Sequence, residues 1–308
     1  MNKKGIAVYL LVTFGLGWVL SLVFWKAHLI DLESPTLVHN VMFVLLLWVP
    51  AAGAAATRLL APEDAPTFTL WPVPWGAALR VGIFVVLAYA CVYILPALIG
   101  WSDPQWGMGT LVNRLEEQMP FAMTPEARRI APVAALVLFP VLGLALGMTV
   151  YAALALGNEL GWRGTLLPRL LARGWNPTLA SAVTGLLWGL WFLPLIYAWY
   201  AQQNSLGDMF GFAVRFVLLA TALGTLLGRV FHAGNHLGLC AIIAGCWAAQ
   251  LQGGWSYLFP MGKTGWTGAF GIVAIAVWIL AALLVPRVLG RESRETAESD
   301  AQPDSPGA

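Results

Sequence analysis

The stretch Asn158-Glu159-Leu160-Gly161-Trp162-Arg163-Gly164-Thr165-Leu166-Leu167-Pro168-Arg169-Leu170 puts a carboxylate, a guanidinium and an indole between two apolar segments. A carboxylate at membrane depth costs several kcal/mol unless it is paired, so its presence demands a reason. Glu159 and Arg163 stand at i and i+4, on one helix face, where a charge-assisted pair can form. Read from spacing alone, this is either an interfacial ion pair that only orients a short connecting helix or a pair with a function of its own.

The rest of the chain sets the environment of that pair. Of 308 residues, 59% are hydrophobic and 10% charged, whereas soluble domains carry about 25% charged residues. Mean hydropathy is +0.74. The composition predicts an all-α, multi-pass membrane bundle, and the 16 tryptophans suit a protein with two headgroup interfaces. A net charge of +2 with no basic run gives no footprint for a nucleic-acid partner. Membrane lipid is the expected surrounding partner.

Eight apolar runs approach the roughly 20 residues that cross a hydrocarbon core. They are Gly5 to Trp25, Leu37 to Thr57, Val81 to Gly100, Ala131 to Leu156, Pro177 to Trp199, Phe210 to Val230, Leu237 to Leu251 and Thr267 to Val285. The first lacks a small-residue cleavage site and reads as a retained span. The seventh is short, includes Gln250, and leans on Trp247 and Trp255 or runs on toward Leu258. With both termini cytoplasmic, eleven Lys and Arg residues fall in inner loops and five in outer ones, with Arg215 inside the sixth run. That excess predicts N-in, C-in and an even number of spans in the cell membrane.

Two segments do not span. Trp101 to Ile130 carries Leu111, Leu115 and Met119 at helical spacing, predicting an amphipathic helix on the outer surface. Residues 291–308 are rich in Glu, Ser, Asp and Pro, with almost nothing to bury, which predicts a disordered tail behind a membrane domain over 1–290. Cys91, Cys240 and Cys246 all lie in apolar runs without zinc-site spacing, so Cys91 and Cys240 read as apolar filler.

The words around Glu159 carry a further signal. NELGWRGTLLPRL resembles the first motif, EExxxR, of the CPBP intramembrane protease family, which includes CAAX prenyl proteases and bacteriocin-processing homologues. On that resemblance Glu159 matches the second glutamate and Arg163 the arginine, while the first glutamate is Asn158. Trp188-Gly189-Leu190-Trp191-Phe192-Leu193-Pro194 resembles the second motif as it stands in WGLWHLP, with Phe192 in place of the histidine. The third motif, HxxxN or HxxxB, aligns best with Cys246 and Gln250. A rival alignment uses His232 and His236, which share the i, i+4 spacing of a metal-binding helix. Gly234 and Asn235 between them favour a turn instead, leaving solvated loop histidines. His28 and His39 carry no role. Trp48 to Leu60 also resembles the family's second span, and the likeness covers most of Trp48 to Leu251.

The resemblance implies a glutamate- and histidine-oriented water, or a metal-bound one, acting on a peptide carbonyl. Asparagine is not a general base, and phenylalanine neither accepts a hydrogen bond nor ligates a metal. A lone Cys246 thiolate does not hold a catalytic metal, although Gln250 retains an oxyanion donor. Only Glu159 and Arg163 survive unchanged. Three readings follow. The first is a non-catalytic or weakly active homologue that uses no cofactor and binds a hydrophobic or lipidated peptide, or a membrane protein. The second is a working endopeptidase, with zinc, rearranged around Glu159 and His232 or His236. The third is a small-solute transporter, motivated by Arg215 and Glu159 at membrane depth; the missing repeat weighs against it.

Overall fold

The computed structural model describes residues 4–29, 36–62, 67–118, 124–202, 205–260 and 265–289. Among these residues the chain is helical throughout. The single strand-like feature is an isolated parallel bridge between Thr69 and His236. Seven helices are long and apolar enough to cross a membrane. An eighth, α12 (Ile272–Leu289), has a shorter apolar stretch within the described residues. The chain is a multi-pass membrane bundle, as its composition requires. The tail over 291–308 and Met119 lie outside the described residues.

The first helix, α1 (Lys4–Lys26), buries Gly5, Tyr9, Thr13, Gly17 and Ser21, a stripe at near four-residue spacing. Small residues there let backbones approach, the usual solution where lipid gives no hydrophobic drive between helices. A Cβ on Gly17 would collide with the Trp191 indole, whose Nε1 donates to the Thr13 carbonyl at 2.9 Å. The second span is α2 (Leu37–Leu47) followed directly by α3 (Val49–Leu60), with Pro50 in the first turn of α3. His39 has a local task after all: its Nδ1 accepts from the Thr36 N–H at 3.1 Å and caps α2. The third span, α4 (Trp75–Leu98), lays Val81, Val85, Tyr89 and Val92 into the core.

Within the described residues part of the amphipathic segment is helical. Helix α5 (Gly109–Gln118) buries Leu111. Arg128, Arg129 and Ile130 belong instead to the next span. Thr124 starts that span by accepting from the Ala127 N–H at 3.2 Å, with Pro125 in the first turn. An Arg128–Glu116 ion pair ties α5 to it.

The fourth span departs most from expectation. Rather than stopping near Leu156, α6 runs unbroken from Pro125 to Leu171, 47 residues. At about 1.5 Å per residue this rod is far longer than the hydrocarbon core is thick. Charge alone does not end a helix whose ionic groups pair along its own face. Two π-helical turns punctuate α6, at Gly147–Tyr151 and Trp162–Leu166. The second precedes Pro168, which has no N–H and crowds the preceding turn. There the Leu167 N–H reaches back to Trp162 O, the wide turn that accommodates such a ring.

The fifth span is also broken. Helix α7 (Pro177–Trp191) ends at Phe192, and α8 (Leu193–Gln202) resumes with Pro194 in its first turn. Helix α9 (Leu206–Gly234) runs on past the expected loop, so Arg229 and His232 are helical. Asn235, at φ +49°, adopts the left-handed conformation that ends it. The turn is only Asn235 and His236, followed by α10 (Leu237–Leu251) and the short α11 (Trp255–Leu258).

Candidate functional site

The signature residues sit in the lower half of α6, between its two π-turns and just beyond. Asn158, Glu159 and Arg163 are 6%, 1% and 0% exposed. Arg163 Nη1 donates to Glu159 Oε1 at 3.1 Å, with both side chains fully inside the bundle. The Arg163 guanidinium lies over the Trp188 ring, 5.2 Å from its centroid, a cation–π arrangement that gains strength away from water. One helical step away, Trp162 Nε1 donates to Asn158 Oδ1 at 3.2 Å. Asn158 therefore spends its amide oxygen holding an indole.

The guanidinium fits because two glycines bring α7 and α9 together beside it. A Cβ on Gly224 would stand 2.2 Å from Gly185 Cα and 3.4 Å from Arg163 Nη2. Either side chain would force the crossing apart, so glycine is required here for close approach. Tyr9 of α1 packs edge-on to Trp162, with centroids 5.6 Å apart.

At the second motif Phe192 is half-buried and is the hub of an aromatic cluster. Its ring lies 6.0 Å from Trp188, 4.9 Å from Trp191 and 5.3 Å from Phe216, all edge-on. Phe216 continues the contact to Phe212 and Phe270, at 6.2 and 5.9 Å. Edge-on geometry is the preferred one for aromatic pairs. The space beside Phe192 is packed with rings.

Cys246 and Gln250 lie elsewhere. A Cβ on Gly147 would be 2.5 Å from Cys246 Cα, and Cys246 Sγ is 4.0 Å from Leu144 O. Gln250 Nε2 donates to Pro140 O at 3.1 Å, and its Oε1 accepts from Trp255 Nε1 at 2.7 Å. These contacts are with positions 12 to 19 residues before Glu159 on α6, or roughly 18–28 Å along the helix axis. The α10 residue that reaches the pair is Cys240, fully buried, with Sγ 3.4 Å from Leu227 O. Leu227 lies three residues along α9 from Gly224, whose added Cβ would stand 3.4 Å from Arg163 Nη2. Sequence reasoning treated Cys240 as filler; the signal available was its position one and a half turns before Cys246 in the same apolar run.

The histidine pair splits. His232, in the last turn of α9, is exposed. His236 is not a solvated loop residue: it is 6% exposed, and its Nε2 meets Pro72 O at 2.8 Å. The Thr69 N–H donates to Asn235 O and the Leu237 N–H to Thr69 O, at 2.9 and 2.8 Å, which locks the turn under the 67–73 segment. Burial follows from that clasp. Among the described residues no group of three His, Cys, Asp or Glu side chains is placed to hold a metal ion. The donor set present does not fit zinc, which takes three or four such ligands. Arg215 falls in α9 as expected, half-buried beside Gly265.

The fold and this centre together define an all-helical, multi-pass membrane protein with a buried ion pair on its longest described helix. Comparison with family models is more specific: residues 134–250 match the Type II CAAX prenyl endopeptidase Rce1-like family. Over those residues the chain is similar to that family, and the resemblance to the CPBP/CAAX protease family stands. The matched span takes in Asn158, Glu159, Arg163, Phe192, His232, His236, Cys246 and Gln250. A comparison with curated proteins finds no match.

Proposed function

We propose that this protein keeps the CAAX protease-like fold without its peptidase chemistry, and binds a hydrophobic or lipidated peptide, or a membrane-protein partner. The observation that carries this reading is the environment of Phe192. A working histidine needs polar partners, whereas position 192 is in ring contact with Trp188, Trp191 and Phe216. Asn158, where the family places its base, is committed to the Trp162 indole. Proton transfer by a positioned base contributes about 10²- to 10⁴-fold in hydrolytic enzymes, and neither position supplies one. No cofactor is part of this reading, and no step is routed through zinc. The protein resides in the cell membrane with both termini cytoplasmic, in line with the distribution of Lys and Arg.

The test is purified protein with prenylated and unmodified peptides, with and without added zinc. No cleavage is expected. Cleavage that disappears in Glu159→Ala, or in a His232→Ala/His236→Ala double variant, would replace this reading with a rearranged active site. Reporter fusions at the N-terminus and after Arg291 check the topology, and opposite sides for the two ends would overturn it.

A further inference from the structure

Four polar atoms on the ion pair and the indole above it have no hydrogen-bond partner among the described residues. They are Glu159 Oε2, Arg163 Nε, Arg163 Nη2 and Trp188 Nε1. Their side chains are 1%, 0% and 8% exposed, and the bilayer around the helices supplies nothing to satisfy them. They belong to one neighbourhood. Glu159 and Arg163 are directly bonded, and the Trp188 ring covers the guanidinium.

The chemistry of the set identifies its guest. Arg163 and Trp188 offer only donors, and Glu159 Oε2 offers only acceptor lone pairs. An anion would satisfy the donors and be repelled by the carboxylate. A cation would do the reverse. The ion pair is already neutral, so either would also add a buried net charge. A guest that both accepts from the guanidinium or indole and donates to the carboxylate suits both kinds of atom, and each such molecule takes up to two of the three donors. Closure on all sides restricts it to the smallest such molecule. Buried water makes about three hydrogen bonds to otherwise unsatisfied groups, and this neighbourhood provides four candidates.

We propose that the Glu159–Arg163 pair, beneath Trp188, is a hydration site that holds ordered water in the membrane interior. The water bridges Arg163 to Glu159 Oε2. The pair is then an internally solvated centre rather than a dry clamp. This inference rests on the geometry of the pair and not on the loss of peptidase activity, so either can fail alone.

The chain contains its own control. Cys240 and Cys246 are on the same helix and equally buried. Cys240 packs on Leu227, three residues from Gly224 beside the guanidinium, whereas Cys246 packs on Gly147 and near Leu144 O, more than ten residues earlier on α6 than Glu159. X-ray radiolytic labelling of the wild-type protein in lipid nanodiscs, in water enriched in heavy oxygen, reads water lying next to each side chain. Heavy-oxygen incorporation at Cys240 and Trp188 is expected to exceed that at Cys246 several-fold. Equal labelling of the two cysteines would overturn the proposal. Arg163→Lys keeps the charge but removes Nε and Nη2, so in a folded variant Cys240 labelling should fall toward that of Cys246. Undiminished labelling in that variant would also overturn it. If Arg163→Lys does not fold, the wild-type comparison of the two cysteines still decides.

Discussion

Two parts of the same interior have taken opposite courses. Around Glu159 the bundle keeps a charge pair in a place where lipid offers no solvation. One turn of α7 away, around Phe192, it has filled the corresponding space with aromatic rings. Trp188 belongs to both, stacked over Arg163 on one side and packed edge-on to Phe192 on the other. The difference teaches what each position costs to change. Removing one member of a buried pair strands the other, so the pair persists as a unit. A half-buried histidine replaced by phenylalanine leaves no charge behind, and each well-placed ring contact returns about 0.5–1.5 kcal/mol. On the proposed reading, the fold retains the residues whose loss it does not tolerate and releases those that only chemistry needs.

The sharpest way to break this comparison is to split the pair. Arg163→Ala is expected to destabilise the protein by about 3–5 kcal/mol, because Glu159 is left buried and uncompensated. Chemical unfolding in detergent measures it, and a variant that melts like the wild type would show that the pair carries no structural burden. At the aromatic end the effect is smaller. Phe192→Ala opens a half-filled space and should cost about 2 kcal/mol. Phe192→His retains most of the ring but sets an unpartnered nitrogen among Trp188, Trp191 and Phe216, costing roughly 1 kcal/mol or more. If Phe192→His proves stabilising, the cluster is a polar cavity in disguise and the proposed function loses its main support.

Sequence and structure agree where the physics is local. Hydropathy locates the spans because a membrane leaves the backbone few alternatives, and i, i+4 spacing alone foretells the Glu159–Arg163 bond. Element ends are less legible. The ELGWRG run looks like a connection between spans because it is charged, but Glu159 and Arg163 neutralise each other along α6, and the helix continues to Leu171. Pro194, by contrast, marks a true break that the hydropathy of Pro177 to Trp199 conceals. The third motif fails for a different reason. A run of small and apolar residues such as CAIIAGCWAAQ offers no internal landmark, so the register that brings Cys240 rather than Cys246 to the pair is visible only once α10 is packed on α6. His236 is buried by a clasp from a segment more than 160 residues earlier, which no local pattern encodes.

Surface electrostatics supply the contrast at low energy. Arg128 and Glu116 form an ion pair like Glu159 and Arg163, but their side chains are 49% and 38% exposed. Arg128→Ala should change stability by less than about 1 kcal/mol, and added salt should shrink even that difference. A larger loss, insensitive to salt, would mean that α5 is held to α6 more firmly than its exposure allows.

The smallest expected effect is a coupling of nearly zero, and it tests the spatial claim directly. If Gln250 were part of one polar site with Glu159, removing both would not cost the sum of removing each. In the structure Gln250 bridges Pro140 O and Trp255 Nε1, far along α6 from the pair. Gln250→Leu should cost roughly 1 kcal/mol on its own account, as two hydrogen bonds are traded for apolar packing. Combined with Glu159→Gln, the two losses should add within about 0.5 kcal/mol, as they do for sites with no shared partners. The paired case is Cys240→Ala with Glu159→Gln, where the thiol packs on Leu227, three residues from Gly224 beside the guanidinium, and the losses should depart from additivity. Four unfolding curves for each cycle decide it. Coupling at Gln250 but not at Cys240 would restore the register read from the sequence, and with it the case for a single reactive centre built from all three motifs.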